Sequence, residues 1–497
     1  MRAVGWVFVG AVAACGPERL APSAGPEGGD DAEARYVDGT PEADLVLRAA
    51  NEATLAELDD DVPLKRRVAL NIVDGRAGPD GVDGTGDDTP YATIAALDAV
   101  PKVTKAVLDA LYAYGAATWG APPPCPVYAD PTVLPGGDGS IGDPFPSIGY
   151  AIAFRDPTCA EVRLVPGTYH ENVDFGGADV NVVSLDGPAT TRIASATGGN
   201  LVSFGAGSDG SLSGVSLDCG GGTWSRGVYA VGANPRLSDL VISGCRVAAP
   251  GVPPVPCGGG AYFDQSGGSL VDSEIRNSSD AGVCLHASTT EIRGSWFEGN
   301  THLDPGYLTG AAIDVRSGAP RLIGNTFVGN PGGTYKYTVV LESSDATVAS
   351  NLFVDNTSGG VVFLSYDRSL VANNTLVGNA GIGLYASVSL GATIANDLIV
   401  DQAGYGVYTY FTVASFVDND VFGATTAYGG TMPNQTGLNG NLSVDPQFVS
   451  ATDFGLAWGS PCIDAGTDLF AEGVTEDLVG APRPGGLGFD LGAYESW

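Results

Sequence analysis

With 497 residues, the chain could hold about three ordinary domains, and its 57 acidic against 23 basic side chains give a formal charge of -34. Such a surface repels nucleic-acid phosphate, and after Lys105 the sole lysine is Lys336, which argues against a phosphate-binding groove. Eight cysteines, none in paired Cys-x-x-Cys spacing, argue against a structural zinc site.

Residues 1–15, MRAVGWVFVGAVAAC, run from one arginine through an apolar stretch to a cysteine, the order of an export signal. The stretch falls short of the roughly 20 apolar residues that a permanent span needs. Its small residues before Cys15 resemble a lipobox, with Val12 where leucine is usual. That resemblance implies cleavage before Cys15 and lipid on its sulfur. With Gly16 next, it also implies sorting to the outer membrane or surface of a Gram-negative bacterium, the lipid being the only membrane contact. An ordinary signal cut nearby, with Cys15 incidental, is the alternative. Residues 16–43, rich in Gly, Pro, Ala and acids, read as a flexible linker.

Residues 44–118 contain an internal repeat. ATLAELDDDVPLKRRVALNIV from Ala53 answers ATIAALDAVPKVTKAVLDALY from Ala92, each copy reading as helix, Val-Pro turn, helix. Leu55, Leu58, Val68 and Ile72 recur as Ile94, Leu97, Val107 and Leu111, a buried helical stripe. The segment resembles a paired helix-hairpin-helix module of competence-type DNA-binding proteins, in which hairpin glycines offer N–H groups to phosphate. Neither turn here contains a glycine, so the resemblance carries the fold and not its DNA chemistry. Between the copies, the acidic loop 74–90 carries Asp80, Asp83, Asp87 and Asp88, a candidate calcium site whose spacing does not fit an EF-hand, or else a solvated turn.

Residues 119–157 lead into the main body, with Ile148, Ala151 and Ile152 on one face of a short capping helix. Through residues 158–440 a phrase returns, as NTFVGN, NLFVDN and NTLVGN. Aligned on its large apolar residue, it falls at Leu217, Ile242, Ile275, Phe297, Phe327, Phe353, Leu376, Ile399 and Val421, spaced 25, 33, 22, 30, 26, 23, 23 and 22. A period in the low twenties, short alternating strands and Gly/Asn turns predict a single-stranded parallel β-helix, a mainly β solenoid with a small all-α domain before it. Two residues before the aligned position stand Ser273, Ser295, Asn325, Asn351, Asn374, Asp397 and Asn419; three after it stand Ser278, Asn300, Asn330, Asn356, Asn379 and Gln402. Stacked coils would join these side chains into ladders, and Asn also tolerates the left-handed backbone of a corner.

An exported chain admits disulfides. Beyond Cys15 seven cysteines remain, and an odd count strands one. Cys125 is expected to pair with Cys159 at the cap, Cys219 with Cys245 one coil apart, and Cys257 with Cys284, leaving Cys462 free.

The opening VYADPTVLPGGDGSIGDPFPSIGYAI, EVRLVPGTYHENV and the Asn-containing coils resemble bacterial right-handed parallel β-helix repeat proteins of the pectate-lyase-like superfamily. The tail at 441–497, with DPQFVSATDFGLAWGSPCIDAG and DLVGAPRPGGLGFDLGAYE, is similar to the module called choice-of-anchor Q and reads as a C-terminal cap. Proteins with that tail usually continue into an anchoring signal, a role that lipid on Cys15 would take here.

Enzymes of the superfamily need calcium-holding carboxylates with a basic residue, or paired carboxylates flanking a sugar bond. The coils contain no Asn-Thr-Asp, His-Gly or Arg-Ile-Lys constellation. Alternation nevertheless places Cys284, His286, Asp314, Arg316 and Glu342 outward if Val283, Leu285, Ile313, Val315 and Leu341 point inward, with Tyr229, Tyr262, Asp264, Tyr385, Tyr408 and Tyr410 on the same face. Insertions at 247–257, 301–310 and 331–337 would wall it. Aromatic rings beside carboxylates suit sugars; a solvated strand face is the bland alternative. The expectation is a monomeric surface lipoprotein that binds polysaccharide or a cell-envelope glycan through Tyr262, Asp264, His286, Asp314, Arg316, Glu342, Tyr385, Tyr408 and Tyr410. The alternative is a polysaccharide lyase or glycoside hydrolase using Asp314, Glu342, His286 and Arg316. Calcium in the acidic loop is the one cofactor to consider.

Overall fold

The computed structural model describes residues 36, 38 and 41–496, apart from 63, 120–124, 136, 196, 221–223, 248–256, 303–308, 333–335, 390 and 412–414. The export signal and Cys15 therefore lie outside the described residues. The chain divides into two compact units, residues 1–122 and 123–497.

The first unit is helical: α1 (Pro41–Glu52), α2 (Leu55–Asp60), α3 (Arg66–Arg76), α4 (Ile94–Asp98) and α5 (Lys105–Trp119). The repeated Ala-Thr dipeptide has a local cause. Thr54 and Thr93 are N-caps, their side chains accepting from the N–H groups of Glu57 and Ala96, and Glu57 returns a bond to Thr54 in a capping box. Leu58, Val68, Ile72, Leu97, Val107 and Leu111 are buried as the stripe requires. Helix α1 starts within the stretch expected to be linker, because Val46, Ala49 and Ala50 join the same core. In the second hairpin Lys102 occupies the left-handed region at φ 74°, a conformation glycine adopts more readily.

The second unit is a parallel β-helix. One face is an 11-stranded sheet from Val173–Asp174 to Thr426–Gly430, called here the outer sheet. The other two faces form one 21-stranded sheet, because strands Ser211–Asp218 and Arg236–Ser243 run through the corner between them and pair with both. Each named pairing is parallel, and the aligned apolar residues stack in register, Ile275 on Phe297, Phe297 on Phe327, Phe327 on Phe353 and Phe353 on Leu376. The rings of Phe297, Phe327 and Phe353 stack inside the coil with centroids 4.9 and 4.5 Å apart. Helix α6 (Ile148–Phe154) buries Ile148, Ala151 and Ile152 against the first coils.

Both ladders form. Asn325, Asn351 and Asn374 donate from Nδ2 to the next member's Oδ1, at 3.1, 2.9 and 2.9 Å, the last acceptor being Asp397. Asn300, Asn330 and Asn356 do the same on the second corner, ending on Asn379; Gln402, expected to extend this ladder, does not join it and donates to Leu376 O and Val400 O instead. Each ladder amide also accepts a backbone N–H from the coil before and donates to a carbonyl, as Asn351 does to Leu322 at 2.8 Å. The turning itself falls to a different residue than the sequence reading assigns. Positive φ belongs to the residue before each ladder member: Asp272, Ser350, Asn373, Asn396 and Asp418 at one corner, Asn277, Gly299, Gly329, Asp355, Gly378 and Asp401 at the other. Bending and bonding are thus split between two neighbours.

Residues 441–496 close the last coil and then run back along the flank. Asn441 extends the ladder by accepting from Asn419. Farther on, Asn396 donates to Thr467 O, Asn373 to Asp490 O, and Arg293 pairs with Glu476. Leu469, Val474 and Phe489 cover Ile323, Ala349, Ala372 and Ala395 on the flank. Arg483, fully buried, is paired with Glu495 at 2.5 Å.

Candidate functional site

The outer sheet presents two outward rows. Register puts Tyr229, Tyr262, Cys284, Asp314, Val340, Phe363, Tyr385 and Tyr408 in one, and Val231, Asp264, His286, Arg316, Glu342, Ser365, Ser387 and Tyr410 in the other. Val283, Leu285, Ile313, Val315 and Leu341 between them are fully buried in the core. Every residue expected on this face is on it.

The rows fall into a charged group and an aromatic group. Arg316 sits between Asp314, at 2.5 Å, and Glu342, and holds both carboxylates. Asp314 is 1% exposed: Arg316 closes over it and the Gly310 N–H donates to its Oδ2 at 2.9 Å. The expectation that Asp314 is an accessible acid or base therefore fails, because its oxygens are occupied and covered. His286 meets Asp264 at 2.7 Å on the open face. At the entry to this group Arg226 lies 5.2 and 5.1 Å from the rings of Tyr229 and Tyr262, themselves stacked at 5.7 Å. Burial lowers Arg226 to about 10, partly opposed by the two tyrosines.

Val340 and Phe363 separate the groups, packing with Tyr337 and Tyr385 in a small apolar cluster. Sequence reasoning passed over Phe363 although it holds the same strand position as Tyr385. From there the aromatic run continues: Phe363 to Tyr385 at 5.1 Å, Tyr385 to Tyr408 at 5.2 Å, and Tyr410 to Phe411 at 4.6 Å. Tyr410 and Phe411 are more than half exposed. The insertions 247–257, 301–310 and 331–337 each connect the second ladder corner to an outer strand, so all three arise at one edge of this face; their tips lie outside the described residues.

Disulfides join Cys125 to Cys159, Cys219 to Cys245 and Cys257 to Cys284, and Cys462 is free and buried. In the acidic loop, Asp83 pairs with the buried Arg76 at 2.7 Å, while Asp80 and Asp87 bond Thr85 and Asp88 accepts from Gly84. Among the described residues, these carboxylates form no group of three close enough to share one ion.

Residues 309–437 match the family model described as periplasmic copper-binding protein (NosD), roughly a quarter of the chain. A comparison with curated proteins finds no match. Similar solved structures include pectate lyase Pel9A, 16% identical over 75% of this chain and 96% of that one, TM-score 0.37. The A-module of mannuronan C-5 epimerase AlgE4 from Azotobacter vinelandii is 14% identical over 54% and 80%, TM-score 0.35. The catalytic domain of a GH87 α-1,3-glucanase is 12% identical over 60% and 67%, TM-score 0.39. At such distances none of these structures says anything about chemistry here. Copper does not fit the residues either. Among the described residues, the one group of three metal-ligating side chains within 4.8 Å is Cys257, Cys284 and Asp314, and its two sulfurs are bonded to each other. Soft ligands for copper would have to be free thiolates, thioethers or clustered imidazoles. Among the described residues, no helix is long and apolar enough to cross a membrane.

Proposed function

We propose that the outer sheet binds a polysaccharide chain without cleaving it, on a protein that is exported and held to a membrane by lipid on Cys15. One observation carries the reading: a hydrogen-bonding charged group and a run of stacked aromatic rings lie in register on one face, at the roughly 4.8 Å coil spacing, so a polymer laid along the axis meets first the one and then the other. Sugar rings offer apolar faces to Tyr385, Tyr408 and Tyr410 and hydroxyls to Asp264, His286 and Glu342. Against hydrolysis stands the pairing of both central carboxylates with Arg316, since cleavage needs one carboxyl free to protonate the leaving oxygen. The three disulfides suit an oxidising compartment, in keeping with the matched family's periplasmic description.

The lyase or hydrolase reading retains the Asp264–His286 pair, which faces solvent and could move a proton. Affinity electrophoresis in glycan-containing gels, run beside a reducing-end assay on the same glycans, tests the proposal. Retardation without new reducing ends is the expected result. Chain shortening that disappears in His286→Ala would replace binding with catalysis.

A further inference from the structure

We infer that the glycan taken by this face is uncharged and is gripped chiefly at its last coils, by Tyr408, Tyr410 and Phe411. The inference rests on the binding reading above and adds the chemical class. It begins with the cations. An acidic polysaccharide needs guanidinium or ammonium groups to meet its carboxylates, and here those groups are engaged with the protein. Arg316 is held by Asp314 and Glu342. Arg226 lies beside two stacked tyrosine rings and donates to Gly258 O at 2.9 Å. Lys336 is buried and donates to Thr309 Oγ1 at 3.0 Å. The walls supply no replacement: insertions 247–257, 301–310 and 331–337 contain between them one lysine, this same Lys336, and no arginine. Asp264, Asp314 and Glu342 outnumber Arg316 on the outward rows, so a polyuronate meets like charge on a chain that is itself strongly acidic.

The aromatic end has an independent mark. At the corner that leaves the outer sheet, the left-handed position is filled by Gln265, Ala287, Ser317 and Ser343 on earlier coils, then by Tyr366, Val388 and Phe411. Bulky side chains are costly there, and β-branched ones more so. Tyr366 and Phe411 nonetheless stand 66% and 55% exposed at the rim, where they fill no core. A backbone conformation that glycine would adopt more easily carries an exposed ring beside Tyr410, which is what a stacking platform for sugar needs and what a corner alone does not.

The test uses the full chain in gels containing neutral polymers (xyloglucan, laminarin, galactomannan), polyuronates (polygalacturonate, alginate) or cationic chitosan, each at low and high salt. Retardation by a neutral polymer, unchanged at high salt and absent with both polyuronates, is expected. Retardation by a polyuronate, or only by chitosan and lost at high salt, overturns this inference and leaves glycan binding standing. No retardation by any polymer removes both readings together. Phe411→Gly separates grip from scaffold: glycine suits φ 78°, so the unfolding midpoint should hold or rise while neutral-glycan affinity falls about threefold to tenfold. Trp296→Ala, on the other sheet, should leave affinity unchanged. A Phe411→Gly variant with unaltered affinity would contradict the grip.

Discussion

The ladder corners and the outer face are built from the same coils yet obey opposite rules. At the corners, polar side chains are wholly buried and each amide is spent on its neighbours, so Asn325, Asn351 and Asn374 repeat with little freedom. On the face, the same strand positions hold Tyr262, Cys284, Asp314, Val340, Phe363 and Tyr385 in turn. Where every coil must solve one geometric problem, the sequence repeats; where it need only face outward, it varies and is open to function.

The largest expected effect lies at the corner. Asn351→Ala takes donors from Leu322 O and Asn374 Oδ1 and an acceptor from Asn325. Buried polar groups left unpaired cost about 1 to 3 kcal/mol each, so the urea midpoint should fall sharply while glycan affinity holds.

Asp397 sharpens the comparison, because it occupies a ladder position with a carboxyl instead of an amide. Its Oδ1 accepts from Asn374, its buried Oδ2 has no partner, and burial pushes its pKa up to about 7, the Asn374 bonds opposing. The folded state therefore holds this proton more tightly than the unfolded chain, where aspartate titrates near 4. The stabilisation is fully present below about pH 4 and is lost as pH rises towards and through about 7. Asp397→Asn should flatten that slope and raise stability at pH 8 by an amount on the order of a few kcal/mol, with little change near pH 4. Urea melts at both pH values check it; equal effects at the two would refute it.

Between corner and face lies Cys219–Cys245, bridging neighbouring coils across a separation of 26 residues. Chain entropy gives such a loop about 3 kcal/mol, and replacing both cysteines by serine should lower the midpoint accordingly. Non-reducing peptide mapping should recover all three bridges with Cys462 alkylated only after unfolding.

The solenoid was legible because a strict period leaves a trace in the chain: the apolar series and both ladders can be counted before any coil is seen. The division of labour at each corner was not, since bending by Ser350 and bonding by Asn351 look alike in sequence. Nor was the third corner, where Gln265, Tyr366 and Phe411 share a conformation but no chemistry. The face was legible in direction and not in pairing. Alternation sends Asp314 outward, yet it gives no sign that Arg316 closes over it in the fold.

On the face, Glu342→Gln should change stability by less than about 1 kcal/mol, since a part-exposed ion pair contributes little, and should weaken glycan binding. At the far N-terminus, mass spectrometry of the processed protein should find a lipid-modified Cys15 as its first residue; another start would end the lipoprotein proposal.

The most direct test of the separation between scaffold and face is a paired measurement, urea midpoint and retardation in a neutral-glycan gel, on Tyr408→Ala and Asn351→Ala. The account predicts that Tyr408→Ala migrates as if no glycan were present while unfolding close to the parent midpoint, and that Asn351→Ala is retarded like the parent while unfolding early. If Tyr408→Ala is as destabilised as Asn351→Ala, or is retarded as strongly as the parent, then the aromatic run is scaffold and the claim fails.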